Sequence, residues 1–258
     1  MLILVPPSEG KTAPRSGPPL DLDALSHPGL TPVRDATLEA LEALSAGDEA
    51  VALEELHLGP KSRDDLERNR VLRTAPTAPA SRVYTGVLFD RLGLTSLRGG
   101  AKERAEEHVR IVSALWGVLR PSDPIPAYRC PAGARLPGAE SARRTWQEPL
   151  AAVLPADQLV VDLRSGPYRE LWRGPADAPT VLVGVVRESG GKRTVVSHDA
   201  KATRGAIARA LLRDKPVWNG PETPARVAKR IAAAGWTVEL GEERRGGAVE
   251  LTVVEQAP

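Results

Sequence analysis

One cysteine, one methionine and nine aromatic residues among 258 positions are the scarcest features of this chain. Cys130, standing alone, excludes an intramolecular disulfide framework. The four histidines, His27, His57, His108 and His198, offer no His-x-x-x-His spacing, so no metal site is expected and direct iron sequestration is disfavoured. Nine aromatics leave only Trp116, Tyr128 and Tyr168 as stacking candidates, which argues against a platform for single-stranded nucleic acid. No apolar run approaches the ~20 residues of a membrane span, and no signal peptide precedes the first apolar run. The expectation is a cytoplasmic protein without membrane partners and without a cofactor. A net charge of +2 gives no global argument for nucleic acid either. Lysine is scarce, seven against 28 arginines, which draws the eye to Lys11 and Lys201.

What is present begins at the first residues. Leu2-Ile-Leu-Val5 followed by Pro6-Pro7 reads as a short buried strand that stops abruptly, because proline cannot donate to a sheet ladder. Such a strand delivers Ser8, Glu9 and Lys11 to its carboxyl end, the rim where open α/β sheets hold ligands. Gly10-Lys11-Thr12 resembles the tail of a phosphate-binding P-loop, but Val5 stands where the motif needs its first glycine. The proline-rich stretch after Thr12 cannot start the helix that such a loop requires.

The remaining pattern predicts helices near 34–46, 48–57, 61–72, 85–92, 101–108, 141–150, 202–212 and 224–234. It predicts strands at 111–116 and 158–163, a hairpin of 180–186 with 193–197 around Ser189-Gly-Gly191, and a closing hairpin of 236–240 with 248–254. The alternation is not strictly βαβ. The fold expected is α+β: one domain over 1–258 with a mixed β-sheet flanked by helices. Helices 85–92 and 101–108, joined through Gly93, Gly99 and Gly100, also outline a helix-hairpin-helix.

Two segments concentrate chemistry. Prolines 121, 124 and 126 hold an extended loop from which Arg120, Asp123, Tyr128 and Arg129 hang, an arrangement suited to bidentate capture of phosphate or carboxylate. Internal pairing of one arginine with Asp123 is the competing reading. In Ser197-His-Asp-Ala-Lys-Ala-Thr-Arg-Gly205 a strand runs into a helix whose first turns carry Lys201 and Arg204, cations that oppose the macrodipole unless an anion is bound. His198 is a further acid–base candidate beside Asp199.

Leu2–Lys11, Val83-Tyr-Thr-Gly86, Ser113–Pro121, Ala127-Tyr-Arg129, Val161–Tyr168 and Ala200–Gly205 together resemble, in order, the YaaA family of peroxide stress response proteins. The blocks run from residue 2 to about 212. The chain departs at Pro-Ser-Glu-Gly-Lys11, where Ser-Pro-Ala-Lys is commoner, and in the 89–108 region. The resemblance implies an α+β fold with a basic cleft and a helix-hairpin-helix, DNA binding, and limitation of iron-driven peroxide damage; arginine-rich loops without a recognition helix make that DNA binding expected to be weak and without sequence preference. By position it implies a site of Lys11, Tyr84, Gly86, Arg120, Pro121, Tyr128, Arg129, Ser165, Tyr168, Lys201 and Arg204. The alternative is an enzyme acting on a nucleotide or nucleobase-like, phosphate-bearing small molecule in a pocket of the same residues. Its catalytic candidates are Ser8, Glu9, Tyr128 and His198, acid–base or hydroxyl groups that phosphate binding alone does not require.

Overall fold

A computed structural model of the chain describes residues 1–59, 62–175, 177–195, 199–213, 222–244 and 246–256. The strands are β1 (Leu2–Val5), β2 (Ala78–Pro79), β3 (Val109–Ser113), β4 (Gly117–Leu119), β5 (Pro124–Ile125), β6 (Val160–Asp162), β7 (Thr180–Ser189), β8 (Lys192–Val195), β9 (Thr237–Arg244) and β10 (Ala248–Gln256). The helices are α1 (Thr31–Ala46), α2 (Glu49–Glu55), α3 (Arg63–Asn69), α4 (Ala80–Val83), α5 (Val87–Leu92), α6 (Gly100–His108), α7 (Ala142–Val153), α8 (Gly166–Arg169), α9 (Asp199–Arg213) and α10 (Pro224–Ala233).

One mixed sheet organises these elements in the order β4-β3-β1-β6-β7-β10-β9, with β8 pairing beside β7. Strands β3, β1, β6, β7 and β10 run parallel, while β4, β8 and β9 are antiparallel additions. Every residue of β1 is buried, the pattern of a central strand covered on both faces. Its side chains alternate: Ile3 and Val5 join the larger apolar cluster, and Leu2 and Leu4 the smaller one. On the larger face lie Leu38 and Leu41 of α1, Leu88 and Leu92 of α5, and Ile207 and Leu211 of α9. Trp146 and Leu150 of α7 cover the other face. None of the helices described is long and apolar enough to cross a membrane.

The apolar run 111–116 is not one strand. β3 ends at Ser113, the chain turns, and β4 folds back as the edge of the sheet. Gly117, at φ 68°, makes this turn, and a Cβ there would meet the Trp146 ring. Trp146 in turn donates its indole N–H to the Ala114 carbonyl at 2.7 Å. The 120–129 segment, expected as an unpaired loop, contributes β5 to a two-residue pairing with β2. Helices α5 and α6 are both in contact with α9, α5 more extensively, so this packing does not establish a helix-hairpin-helix.

Gly205 explains the closeness of α5 and α9. A Cβ at this position would collide with the Leu88 carbonyl oxygen and press on Arg91 Cβ. Gly205→Ala should therefore destabilise the protein by about 1–3 kcal/mol through overpacking, despite the better helix propensity of alanine. Gly184→Ala, where a Cβ meets open space, is the control in urea melts; equal stability of the two variants would contradict the packing account.

Candidate functional site

From β1 the chain passes to β3 on one side and later returns to β6 on the other, so its connections diverge around β1. Such a switch point leaves a crevice beyond the carboxyl ends of the strands. A cleft of about 230 Å³ lies at this rim, lined among others by Ser8, Glu9, Thr85, Gly86, Tyr168 and Lys201. It gathers the end of β1, the start of α5, the turn after β6 and the start of α9.

Lys11 stands behind this lining and shapes it. Its backbone bridges to Tyr84. Its ammonium donates to the Ser8 carbonyl at 2.7 Å and the Glu9 carbonyl at 3.3 Å, folding the segment back on itself. The same Nζ lies 4.2 Å from the centroid of the Tyr128 ring and 5.5 Å from that of Tyr84. Burial, and then the neighbouring Arg129 guanidinium, push the Lys11 pKa down to about 7. Ser8 Oγ donates to the Gly10 carbonyl and accepts the Thr85 amide, tying the β1 end to the α5 start.

Beneath the amine runs a buried hydroxyl chain. Tyr84 and Tyr128 hydroxyls share a 2.7 Å hydrogen bond, and Tyr128 and Ser113 one of 2.6 Å. Ser113 Oγ accepts the Leu115 and Trp116 amides, so it donates to Tyr128, which donates to Tyr84. Burial raises the pKa of both phenols, and that of Tyr168 to about 12. Cys130 is buried too, its thiol pushed up to about 12 by desolvation and thus kept protonated.

Arg129 Nη1 lies 3.7 Å from the Glu9 carboxylate, while its Nε donates to the Leu56 carbonyl. Its backbone is clamped by Asn69, which accepts the Arg129 amide and donates to the Arg129 carbonyl. The turn carrying Ser165 and Tyr168 is fixed from below. Asp162 and Arg164 form a fully buried fork, with Nε to Oδ1 at 2.9 Å and Nη2 to Oδ2 at 2.8 Å. Arg164 also donates to the carbonyls of Tyr168 and Trp172. Arg169 sits 3.7 Å from the same carboxylate.

The structure thus brings Ser8, Glu9, Lys11, Tyr84, Tyr128, Arg129, Tyr168 and Lys201 to one rim. Gly86 opens α5 at φ 93°, and Ser165 precedes α8 without capping it by its side chain. Lys201 and Arg204 part company: Lys201 lines the cleft, whereas half-buried Arg204 donates to the Val183 carbonyl near Arg169 and Asp162. Arg120 and Pro121 lie towards the amino end of β3, where the Arg120 amide donates to Asp123 Oδ2 at 2.9 Å. His198 falls outside the described residues. Sequence reasoning did not single out Ser113, Asn69, Asp162, Arg164 or Arg169. Asp162-Leu-Arg164 at the end of an apolar run was the one available signal, since a buried strand seldom ends in two charges unless they pair. Among the described residues, no three His, Cys, Asp or Glu side chains are grouped to hold a metal ion.

Fold and site together define an α+β protein with a lysine–tyrosine cleft at the switch point of a mixed sheet. The chain belongs to the YaaA peroxide stress protein family, UPF0246, whose family model, described as "Peroxide stress protein YaaA", matches residues 1–230. A UPF0246 protein of Streptomyces coelicolor is 44% identical over 252 residues, covering 96% of this chain and 95% of the relative. One of Corynebacterium efficiens is 42% identical, covering 95% and 97%. An uncharacterized protein of Campylobacter jejuni is 28% identical, covering 80% and 82%.

Two measurements test this geometry. Asp162→Asn leaves the Arg164 guanidinium buried without its charge partner and should cost about 3–5 kcal/mol in chemical denaturation; a loss under ~1 kcal/mol would show the fork to be dispensable. The Lys11 pKa of about 7 lies below its ordinary 10.5, so the unfolded chain binds more protons between those values. Stability should then rise with pH across that window, and Lys11→Met should remove the rise. Denaturant melts of both proteins at several pH values check this, and parallel pH profiles would contradict it.

Proposed function

We propose that this YaaA-family protein serves peroxide stress protection through its cleft, which binds a small anionic ligand of the nucleotide or nucleobase-like class. The observation that carries the reading is the convergence of Ser8, Glu9, Tyr168 and Lys201 on one cleft at the switch point, backed by Lys11 and Arg129. The volume of about 230 Å³ is below the ~300 Å³ at which typical ligand pockets begin. It suits a base or a small phosphorylated group rather than a dinucleotide.

The charge balance supports an anion. Glu9 and Asp162 stand against Lys11, Arg129, Arg164, Arg169, Lys201 and Arg204, and the Nε atoms of Arg169 and Arg204 are buried without a hydrogen-bond partner. A bound anion would raise the Lys11 pKa and hold the amine charged. The high thiol pKa of Cys130 removes a reactive thiolate from the account, so peroxide consumption at cysteine is not part of this reading.

A second reading, DNA binding, is favoured by a separate feature. Arg82, Arg98 and Lys102 line, with Glu106, a cleft of about 410 Å³ beside α4 and α6, and among the described residues Arg98 donates to the Thr95 and Leu97 carbonyls. Cations placed this way neutralise phosphates without reading bases, and such binding falls steeply with salt.

Calorimetric titration with nucleoside monophosphates, nucleobases and short duplexes separates the two. We expect saturable, mildly salt-dependent binding of a small ligand, weakened about tenfold or more in Lys201→Gln and Lys11→Met. Duplex binding that is steeply salt-dependent, lost in Arg82→Gln/Lys102→Gln and unaffected by Lys201→Gln, with no small ligand bound, would overturn the cleft reading in favour of DNA.

A further inference from the structure

Away from the cleft, at the β4 edge and towards the amino end of β3, the chain buries three guanidiniums that, among the described residues, form no ion pair. Arg110 is the second residue of β3, and Arg120 directly follows β4. The register Ile111↔Leu119 continues to place them opposite one another. Like charges directly across a strand pair are destabilising. Arg34 of α1 reaches the same edge, and His27 borders it.

The neighbouring carboxylate is already occupied. Asp123 Oδ1 accepts the Ser26 amide at 3.0 Å, and Oδ2 accepts Ser26 Oγ at 2.6 Å and the Arg120 amide at 2.9 Å. Arg34 spends its guanidinium on the carbonyls of Trp116, Val118 and Ser26. Arg110, 6% exposed, donates Nη1 to the Glu106 and Val109 carbonyls, and its Nε has no partner. Arg120 Nε and His27 Nε2 are likewise buried without partners. Among the described residues, none of the three guanidiniums is within ion-pair distance of a carboxylate, and Glu106, Asp123 and Glu107 offset the charge of Arg110 only from further away. A buried donor left unmade is costly, and two guanidinium Nε donors beside an unpartnered imidazole nitrogen point to a missing acceptor. His27 adds a second mark: it is one of two non-glycine residues described with positive φ, at 60°. Backbone in this region is strained and persists where surroundings require it.

We propose that Arg110, Arg120 and His27 form a binding site for one phosphate-type oxyanion, free or as the terminal group of a small ester, distinct from the cleft at the carboxyl rim. Arg120 and His27 are half-buried, which leaves an entry from solvent. The charged groups around the site are Arg34, Arg110, Arg120 and Asp123, with Ser26 holding the aspartate, and Glu106 and Glu107 of α6 act on Arg110 from the side. Burial, and then the neighbouring Arg110, Arg120 and Arg34 guanidiniums, push the His27 pKa down to about 4. An oxyanion would reverse the sign of that field and let the imidazolium donate to it.

The test is a titration of the full chain with inorganic phosphate at constant ionic strength, chloride being the reference, read by NMR at the His27 ring. Saturable phosphate binding should raise the His27 pKa by at least about one unit. It should weaken about tenfold or more in Arg120→Gln, the loss of one charge-assisted hydrogen bond, and stay unchanged in Lys201→Gln. His27→Asn, which tolerates positive φ, gives the same answer calorimetrically should Arg120→Gln not fold. A phosphomonoester that acts on His27 at lower concentration than phosphate identifies the ester as the ligand; the reverse order identifies the free ion. No saturable response at His27 beyond that of chloride, or a response that Lys201→Gln removes and Arg120→Gln does not, overturns the proposal. The cleft reading fails or stands on its own titration, in which Arg120 and His27 take no part.

Discussion

The buried fork between Asp162 and Arg164 is the interaction on which the candidate site most depends. Taking both charges from water costs several kcal/mol per ion, and the cost is offset because four of the five Arg164 N–H groups and both Asp162 oxygens are hydrogen-bonded. Arg164 spends two further N–H groups on the Tyr168 and Trp172 carbonyls. The fork thereby converts the end of β6 from a free strand terminus into a fixed turn. Tyr168 reaches the cleft because this turn cannot relax.

The opposite wall is built by a different device with the same logic. Lys11 binds its own preceding carbonyls and lies over the Tyr128 ring, while Tyr128 is held by Tyr84 and Ser113. A small set of polar groups, each satisfied by the next, sets the shape of the rim. The apolar faces of β1 carry the load beneath it. Such networks specify one geometry, because a half-satisfied member would be worse than none.

Charge is distributed unevenly over this frame. The β4 edge is protected by Arg34, which donates to the Val118 carbonyl of the strand and to that of Trp116 just before it, removing an exposed template for strand addition. That same protection brings a third guanidinium next to Arg110 and Arg120. At the carboxyl rim, Arg129, Arg169 and Arg204 crowd around two carboxylates. The chain's net charge of +2 hides this because acids cover the outer helix faces.

Local pattern alone determined much of the architecture. The four apolar residues before Pro6-Pro7 became β1, the periodicity of Leu38, Leu41 and Leu44 became the buried stripe of α1, and Ser189-Gly-Gly191 became the β7–β8 turn. These were legible because burial of a strand or helix face leaves a period in the sequence, and a turn leaves its glycines. The Lys11 rim was legible for the same reason, since prolines must end the strand there. Tertiary structure alone decided which charges meet. Arg34 lies in a helix that reads as amphipathic, yet it is wholly buried against an edge strand 82 positions away in sequence. Arg120 and Arg129 stand on one proline-fixed segment, but pairing of β5 with β2 carries the segment from the amino end of β3 to the carboxyl rim, separating the two. Lys201 and Arg204 share a helix turn and still face different surroundings. A carbonyl acceptor leaves no trace in the sequence, and Arg34, Arg129 and Arg204 are each held by carbonyls. Their partners were therefore fixed only when the chain folded.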